Sequence, residues 1–288
     1  MAEYITALTN RLGNRASNQD RCLIEEKPGQ VLLVVADGMG GHARGDLAAQ
    51  TAVDSLANSF RRQPARITDP QAFLVQAMAT AHLDVVGAGK ALQPPAEPRT
   101  TCVACLVDGD HAGWAHVGDS RLYLLRNHTV LQRTRDHTPL EELRQAGVVD
   151  DNQMRDHPLR NSVSRCLGGS ARPPQISYAS ARLQTGDTLL LCSDGLWSAL
   201  MEEQLIALGT SDALESDTER LAALAETASY PHSDNISIVV LRWLEMTSGK
   251  TPAAASAATG AAAKDPLQQA IDDIHRAMLD YASEIKKT

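Results

Sequence analysis

The chain has 288 residues and a net charge of −8 with a pI near 5.6, which disfavours nucleic acid or an anionic membrane surface as its main partner. No apolar run approaches the roughly 20 residues that span a bilayer, and the N-terminus lacks the basic and apolar regions of a signal peptide. The five cysteines are scattered, which indicates free thiols in a reducing compartment, so we expect a cytoplasmic protein without a membrane span.

Two strands are predicted at the start of the chain, over residues 4–9 and 21–25. Between them lies a polar loop, residues 13–20, with Arg15 near its start and Asp20 at its end. On this segment alone, a solvated turn explains the charges better than a binding site does.

The third predicted strand, residues 31–36, leads directly into a glycine-rich segment. Its sequence VLLVVA is apolar and rich in β-branched residues, which is typical of a strand buried on both faces. Asp37 follows, and then Gly38 and the rest of the segment as far as His42. A carboxylate in this position is held rigidly, and glycine lets the backbone approach a ligand. A simple hairpin turn accounts for Asp37 and Gly38 equally well at this point.

Two helices are predicted next, over residues 46–60 and from Pro70 to residues 87–89, with Asp69 as the cap of the second. A meander of three antiparallel strands is then predicted over 101–107, 112–117 and 121–125. Cys102 and Cys105 in the first of these strands point to opposite faces and are not expected to chelate a metal.

The second half of the predicted fold mixes short helices with two strands. A capping box at 138–141 opens a helix, and the stretch that follows, to about residue 180, reads as a loop-rich surface insertion. A strand over 187–192, a helix opened by a second capping box at 216–219, and a strand over 236–240 complete the pattern.

Four aspartates lie at the ends of predicted strands: Asp37, Asp119, Asp194 and Asp234. Neighbouring antiparallel strands bring opposite chain ends to the same edge, so these side chains can converge. Carboxylates that share a small volume need a counter-charge, and all-oxygen ligation suits Mg²⁺ or Mn²⁺. Four independent turn aspartates are the alternative, and the repeated Asp-Gly after a buried strand disfavours it.

The order of these motifs resembles that of the metal-dependent serine/threonine protein phosphatases of type 2C, and the compact bacterial members in particular. The resemblance covers residues 1–245, and its motifs stand at residues 18–20, 37–42, 118–121, 193–195 and 234–235. It implies an α+β fold, in which a central sandwich of two antiparallel β-sheets is flanked by helices on both faces, with the metals at one end.

The resemblance also implies a role for each matching residue. Asp37 would bridge two Mn²⁺ or Mg²⁺ ions, Asp194 and Asp234 would complete the first ion's protein ligands, and the Gly38 carbonyl would help to hold the second. Asp20 would act mainly through water, and Asp119 would bind a third, weaker metal. Arg15 would hold the phosphate oxygens, and His42 would protonate the leaving alkoxide. A hydroxide bridging the two ions would attack phosphorus in line, so no protein nucleophile is required.

Two departures from the family pattern stand near these motifs. Gln19 occupies a position where eukaryotic members carry Glu, which implies fewer protein ligands and more water at the second metal. Arg99 replaces a small residue and is expected to alter the surface near the site. The remaining histidines have no assigned role and are expected to serve packing or lie on the surface; they are His82, His111, His116, His128, His137, His157 and His232.

The composition changes beyond the resemblance. Residues 246–264 are rich in Ala, Ser and Thr and predict a flexible linker. Residues 265–288 predict an amphipathic helix whose apolar positions alternate in spacing between four and three, as in a coiled coil. We expect it to associate with another chain, either its own copy or a regulatory partner. Folding back on the preceding domain is an alternative of about equal weight, which the long flexible linker mildly disfavours.

Two functions follow as expectations. One is a phosphatase that acts on phosphorylated protein substrates and opposes a bacterial serine/threonine kinase. The other is a non-catalytic metal-binding module of the same fold that holds a partner protein. The full acidic set together with Arg15 and His42 favours the first.

Overall fold

Two antiparallel sheets dominate the part of the chain that the computed structural model describes, which comprises residues 2–39, 44–63, 66–150, 153, 157–159, 162–210 and 213–246. The strands of these residues are β1 (Ala2–Arg11), β2 (Asp20–Lys27), β3 (Gln30–Met39), β4 (Arg99–Thr100), β5 (Cys102–Asp108), β6 (His111–Val117), β7 (Arg121–Arg126), β8 (Thr129–Arg133), β9 (Leu167–Gly168), β10 (Ser177–Arg182), β11 (Thr188–Cys192) and β12 (Ile236–Met246). The helices are α1 (Gly45–Arg61), α2 (Pro70–Lys90), α3 (Pro139–Gln145), α4 (Asp194–Trp197), α5 (Glu202–Ile206) and α6 (Leu214–Ala228), and a 3₁₀ turn spans Ala207–Thr210.

The two sheets pack face to face as a sandwich. One has five strands in the order β1-β12-β11-β7-β8, and the other has seven, in the order β10-β6-β5-β3-β4-β9 with β2 paired to β3. Alternate residues of β3 show why its sequence is apolar throughout. Val31, Leu33 and Val35 join the core between the sheets, while Leu32 and Val34 face the helices on the other side. A strand covered on both faces needs no polar side chain.

Helices cover both outer faces of the sandwich. Helices α1 and α2 pack on the seven-stranded sheet through residues such as Leu56, Phe60 and Leu74. Helix α6 and the short helices α4 and α5 cover the five-stranded sheet through residues such as Leu205 and Ala222. The predicted α+β sandwich with helices on both faces is therefore confirmed.

Helix α2 is, by length and composition alone, apolar enough to cross a membrane. It is a core helix in this fold, because its residues Phe73, Leu74, Met78 and Val85 lie in the hydrophobic cluster that α1 and α2 form with the seven-stranded sheet. Asp69 caps its first turn by accepting a hydrogen bond of 2.9 Å from the backbone N–H of Ala72, as predicted.

Several predicted details are wrong. The sequence did not indicate β8, and the loop-rich insertion ends in strand β10. Both are edge strands with largely exposed side chains, so they lack the alternation that marks a half-buried strand. Helix α6 begins at Leu214 rather than at the predicted capping box, and Ser216 instead donates to the Ala213 carbonyl within the first turn.

The prediction for the two neighbouring cysteines is confirmed. Cys102 faces the helices and Cys105 faces the core between the sheets, and both are buried free thiols. The predicted linker (246–264) and C-terminal helix (265–288) lie, apart from Met246 at the end of β12, outside the described residues.

Candidate active site

Asp20 and Asp37 are direct partners on the antiparallel strands β2 and β3, so their side chains lie side by side on one face of the sheet. The neighbouring strand fixes the backbone of Asp37. Its N–H donates to Thr101 Oγ1 at 3.2 Å, and its carbonyl accepts from the Thr101 N–H at 2.8 Å. Asp37 is therefore held rigidly, as its position after an apolar strand predicted.

Gly38 leaves no room for a side chain. A Cβ at this position would lie 2.1 Å from the carbonyl oxygen of Gly45, the first residue of α1. The Gly38 N–H donates to the carbonyl of Gln19 at 3.1 Å. Strand β3 continues through Asp37 and Gly38 to Met39, so the hairpin-turn alternative is wrong. Glycine is needed here because α1 starts in contact with the strand.

Asp194 comes from the other sheet, where it follows β11 and begins α4. The preceding residue joins the two sheets. Ser193 donates from Oγ to Asp20 Oδ2 at 2.6 Å and accepts at the same oxygen from the Ser237 N–H at 3.0 Å. Ser193 is fully buried, so these bonds hold the ends of β2, β11 and β12 together.

Asp234 stands just before β12 and meets Arg15. The Arg15 guanidinium donates from Nη2 to Asp234 Oδ2 at 2.6 Å, and about half of the Arg15 side chain stays exposed. Asn235 anchors the loop that carries Arg15, because its amide donates to the carbonyls of Leu12 and Ser17. The Asp234 bond, together with the charges of Asp194 and Asp37, raises the pKa of Arg15. The loop is exposed over residues 14–17, as in a solvated turn, but it is anchored by Asn235 and its Arg15 binds Asp234.

Asp119 lies in the tight connection between β6 and β7. Gly118 before it has φ of 101° and sits against Thr101, at a position where a Cβ would come within 2.7 Å of the threonine side chain. The indole N–H of Trp197 in α4 donates to the Asp119 carbonyl at 3.0 Å. Helix α4 thus carries both Asp194 and the residue that fixes the Asp119 backbone.

Arg121 completes the support of the Asp119 loop. Its guanidinium lies 3.5 Å from the centre of the Trp197 ring and binds Asp136 through two hydrogen bonds of 2.9 Å and 2.6 Å. Both partners of this ion pair are buried. A paired, stacked arginine of this kind holds the indole and the loop in one arrangement.

Contacts between their neighbours place five aspartates at one rim of the sandwich, which we call the acidic rim (Asp20, Asp37, Asp119, Asp194 and Asp234). Burial, followed by the charges of the other four, raises the pKa of Asp37 well above its usual range. Burial and neighbouring carboxylates also raise the pKa of Asp194 to about 6, of Asp20 to about 7 and of Asp119 to about 8. The predicted convergence of strand-end aspartates is thus present.

The acidic rim fits hard cations. Asp20 Oδ1 is buried and has no hydrogen-bond partner, and burial is the largest cause of each raised pKa, so the carboxylates lack sufficient donors of their own. Mg²⁺ and Mn²⁺ prefer such oxygen donors. Within the described ranges, no three His, Cys, Asp or Glu side chains already stand as a ready-made ligand set. The Asp234 carboxylate, for example, is turned to Arg15.

The proposed proton donor, His42, lies outside the described residues. Three other histidines are buried and serve packing, as predicted. His137 accepts from the Gly118 N–H at 3.2 Å and stacks on His116 with ring centres 4.5 Å apart, and His82 accepts from the Gly168 N–H at 3.1 Å. Arg99 lies on β4 opposite Met39 and pairs with Glu97.

Sequence reasoning missed the residues that hold the rim together. Ser193 and Asn235 lie within the motifs at 193–195 and 234–235, but the sequence assigns them no role, and it does not single out Trp197 or Thr101. Trp197 follows Asp194 by three residues, which is one helical turn, but nothing in the sequence indicates that its N–H reaches Asp119. Contacts between distant segments of this kind leave no periodic pattern.

Comparisons with known proteins point to one family. The sequence profile described as "Protein phosphatase 2C" matches residues 9–244. The serine/threonine phosphatase stp of Listeria monocytogenes serotype 4b is 31% identical over 236 residues, covering 81% of this chain and 93% of the relative. PstP of Mycobacterium tuberculosis is 35% identical over 249 residues, covering 85% of this chain and 46% of the relative. The crystal structure of a PstP catalytic domain in complex with two manganese ions superposes with a TM-score of 0.72 at 30% identity, covering 84% of this chain and 99% of the other.

Proposed function

This chain belongs to the protein phosphatase 2C family, and from that premise we propose which of its residues carry out the family's reaction. The protein is a metal-dependent serine/threonine protein phosphatase of the bacterial type, with a dinuclear Mn²⁺ or Mg²⁺ site and phosphorylated proteins as substrates. The alternative of a non-catalytic module is not supported. The observation that carries the proposal is the convergence of five aspartates from both sheets on the acidic rim.

The acidic rim would hold the two ions through Asp37, Asp194 and Asp234, with the Gly38 carbonyl as a further ligand and Asp20 acting through water. When bound, the ions supply an activated water and neutralise the charge that develops on phosphorus. The protein's part is to fix the geometry. Bonds from Thr101 hold Asp37, and Ser193 holds Asp20 against the opposite sheet.

Arg15 is the residue proposed to bind the phosphate. Its guanidinium is half exposed, stands at the rim beside Asp234, and presents a planar set of donors that matches two phosphate oxygens. The loop that carries it is fixed by Asn235, so binding requires little ordering of the backbone.

The cysteines do not serve as nucleophiles in this proposal. Burial raises the pKa of the Cys22 thiol to about 11 and of the Cys102 thiol to about 12, and it raises those of Cys105, Cys166 and Cys192 as well. A thiol with a raised pKa carries almost no thiolate at neutral pH. Proton donation to the leaving alkoxide is assigned instead to His42.

Asp119 is proposed to bind a third metal ion. It shares the rim, its carboxylate feels the charge of Asp194, and the Trp197 indole holds its backbone carbonyl in place. This fixed backbone would present the carboxylate to a cation at the rim.

We further propose that the protein opposes a serine/threonine kinase in the bacterial cytoplasm. The helix predicted over residues 265–288 would bind a second copy or a regulatory protein and so raise the effective concentration of substrate. The apolar spacing of that segment and the flexible composition of residues 246–264 support this part of the proposal.

The function is tested by hydrolysis of a phosphothreonine peptide with Mn²⁺ present and again in excess EDTA. We expect turnover with Mn²⁺, none with EDTA, and none for Asp194→Asn with Mn²⁺. A non-catalytic module would bind Mn²⁺ without releasing phosphate. Undiminished turnover in EDTA would exclude the metal-dependent reaction.

A further inference from the structure

A groove lined by arginines begins beside the acidic rim. It consists of two adjoining cavities of about 560 Å³ and 660 Å³ that share Arg165. Five arginines line the two cavities, and we call this surface the basic groove: Arg99, Arg133, Arg135, Arg165 and Arg172. Such a concentration of positive charge is notable in a chain whose net charge is −8.

Most of this positive charge is not neutralised by the residues that the structure describes. Arg133, Arg165 and Arg172 form no ion pair with any described residue, and Arg135 lies 3.8 Å from Glu141, whose carboxylate already accepts from Arg144 and Gln145. Arg99 pairs with Glu97, and both side chains are more than half exposed. An exposed pair of this kind is weak and gives way to a better anion.

The carboxylates that line the groove are few. Among the described lining residues they are Asp136 and Glu142. Asp136 is buried and bound by Arg121 through two hydrogen bonds, so it adds no free negative charge. Among the described lining residues, the three arginines without an ion pair therefore outnumber the one carboxylate without an ion pair, Glu142, and this excess of positive charge attracts anions.

The groove starts where the phosphorylated residue must be cleaved. Asp136 and His137 line its first cavity. The backbone N–H of His137 donates to the carbonyl of Gly118, the residue before Asp119, at 2.9 Å. Asp136 also lies close enough to raise the pKa of the Asp119 carboxyl. A protein chain whose phosphoresidue reaches the acidic rim has to continue over the surface around it, and this groove adjoins that rim.

The walls of the groove suit an extended chain. The first cavity lies between β8 and β10, which pair on one side only with other described strands, β7 and β6 respectively. Edge strands offer backbone N–H and C=O groups to an added peptide. Main-chain bonds at these edges and arginine side chains between them match a peptide whose side chains are anionic.

We propose that the basic groove binds the segment of the phosphoprotein substrate that flanks the phosphorylated residue, and that it selects segments rich in carboxylate or further phosphate groups. The proposal rests on the phosphatase function above. Because the arginines bind the substrate away from the reacting phosphorus, their contribution is to the KM for peptides.

The test compares two phosphothreonine peptides of the same length, one with Glu residues on both sides of the phosphothreonine and one with Gln in their place. The wild-type protein with Mn²⁺ is measured beside Arg133→Gln/Arg165→Gln. The matched control is Arg62→Gln, an exposed arginine at the end of α1 that is not among the lining residues. Thermal melting verifies that the variants are folded.

We expect the wild type and Arg62→Gln to prefer the Glu peptide by on the order of tenfold in kcat/KM, chiefly through KM, since two or three partly exposed charge pairs supply about that factor. The preference should shrink with added salt, and the double variant should reduce it to about twofold or less. Equal kcat/KM for the two peptides in the wild type, or an unchanged preference in the double variant, would overturn the proposal.

A binding measurement separates this proposal from the phosphatase function. Fluorescence anisotropy of the labelled Glu peptide should show about tenfold weaker binding to the double variant than to Arg62→Gln. If that difference appears while the wild type hydrolyses neither peptide, the groove assignment stands and the proposed function fails. If the wild type hydrolyses both peptides but the labelled Glu peptide binds the double variant as tightly as it binds Arg62→Gln, the groove assignment fails and the proposed function stands.

Discussion

The backbone of Asp119 is fixed by contacts with distant segments of the chain. The Trp197 indole fixes the carbonyl, Gly118 turns against Thr101, and burial together with Asp194 raises the pKa of the carboxyl group to about 8. Because these contacts involve the backbone, removing the Asp119 carboxylate should affect a bound ligand more than the fold.

Asp119→Ala should leave the two core ions bound and lower kcat by about 100-fold, because the electrostatic contribution of a third ion to the transition state is lost. Mn²⁺ calorimetry beside phosphopeptide turnover measures both quantities. Trp197→Phe, which keeps the carboxylate and removes the bond to the Asp119 carbonyl, is the matched control and should lose much less activity. Loss of the tight sites in Asp119→Ala would contradict the assignment.

The role of general acid is assigned to His42 from the sequence motif, and the dependence of the rate on the leaving group tests it. His42→Ala should lower kcat by about 100-fold for a phosphothreonine peptide, whose alkoxide leaving group needs a proton. The loss should be much smaller for nitrophenyl phosphate, whose leaving group needs little protonation. Steady-state kinetics on both substrates decides, and an equal loss on the two would remove His42 from the role of general acid.

At the scale of secondary structure, the elements predicted best are those whose burial follows a regular pattern along the sequence. Strand β3 is buried on both faces and its apolar run defines it, and α2 has a capping aspartate and a regular apolar stripe. Strands β8 and β10 lie at sheet edges with mostly exposed side chains, so the sequence carries no alternation to find. They form the walls of the basic groove, which the sequence therefore could not indicate.

The positions of the rim aspartates were predictable, but their supports were not. Aspartates that follow apolar strands point to one edge of an antiparallel assembly, and that reasoning brought Asp37 and Asp194 together. The bond from Ser193 to Asp20 and the bond from Trp197 to Asp119 join segments far apart in the chain. Such pairings depend on how the two sheets pack, and the pattern of residues along a single sequence does not reveal that packing.

The junction of β3 and α1 gives a prediction at this scale. Gly38→Ala should lower the free energy of unfolding by about 3 kcal/mol, because its Cβ would meet the backbone of Gly45 at 2.1 Å and the start of α1 would have to move. Gly87→Ala is the control, since a Cβ there meets nothing within 4 Å and alanine favours helix by about 0.5–1 kcal/mol. Urea unfolding measures the stability of both variants. Equal stability of the two would show that the close contact with Gly45 does not exclude a side chain at residue 38.

At the scale of the whole molecule, the segment beyond β12 is predicted to act separately from catalysis. Deletion of residues 247–288 should leave turnover of nitrophenyl phosphate within about twofold of the full chain, because no residue of the acidic rim is removed. Self-association or partner capture should be lost. Sedimentation of both forms decides, and an unchanged number of chains per particle together with unchanged partner capture would exclude this role.

The acidic rim also links the whole fold to pH. Raised pKa values mean that the folded, metal-free protein binds more protons than the unfolded chain. Its stability should therefore fall as the pH rises from about 4, the usual aspartate value, through about 8, the raised pKa of Asp119. Bound Mn²⁺ replaces those protons, so metal affinity should rise over the same range and protons should be released on binding.

Calorimetric titration of the metal-free protein with Mn²⁺ at pH 6 and pH 8 tests whether the five rim aspartates form the metal centre of a phosphatase. We predict two tightly bound ions per chain, tighter binding at pH 8 with release of protons, and loss of both ions in Asp37→Asn. A wild-type chain that binds no Mn²⁺ tightly, or an Asp37→Asn variant that binds it as the wild type does, would contradict the account.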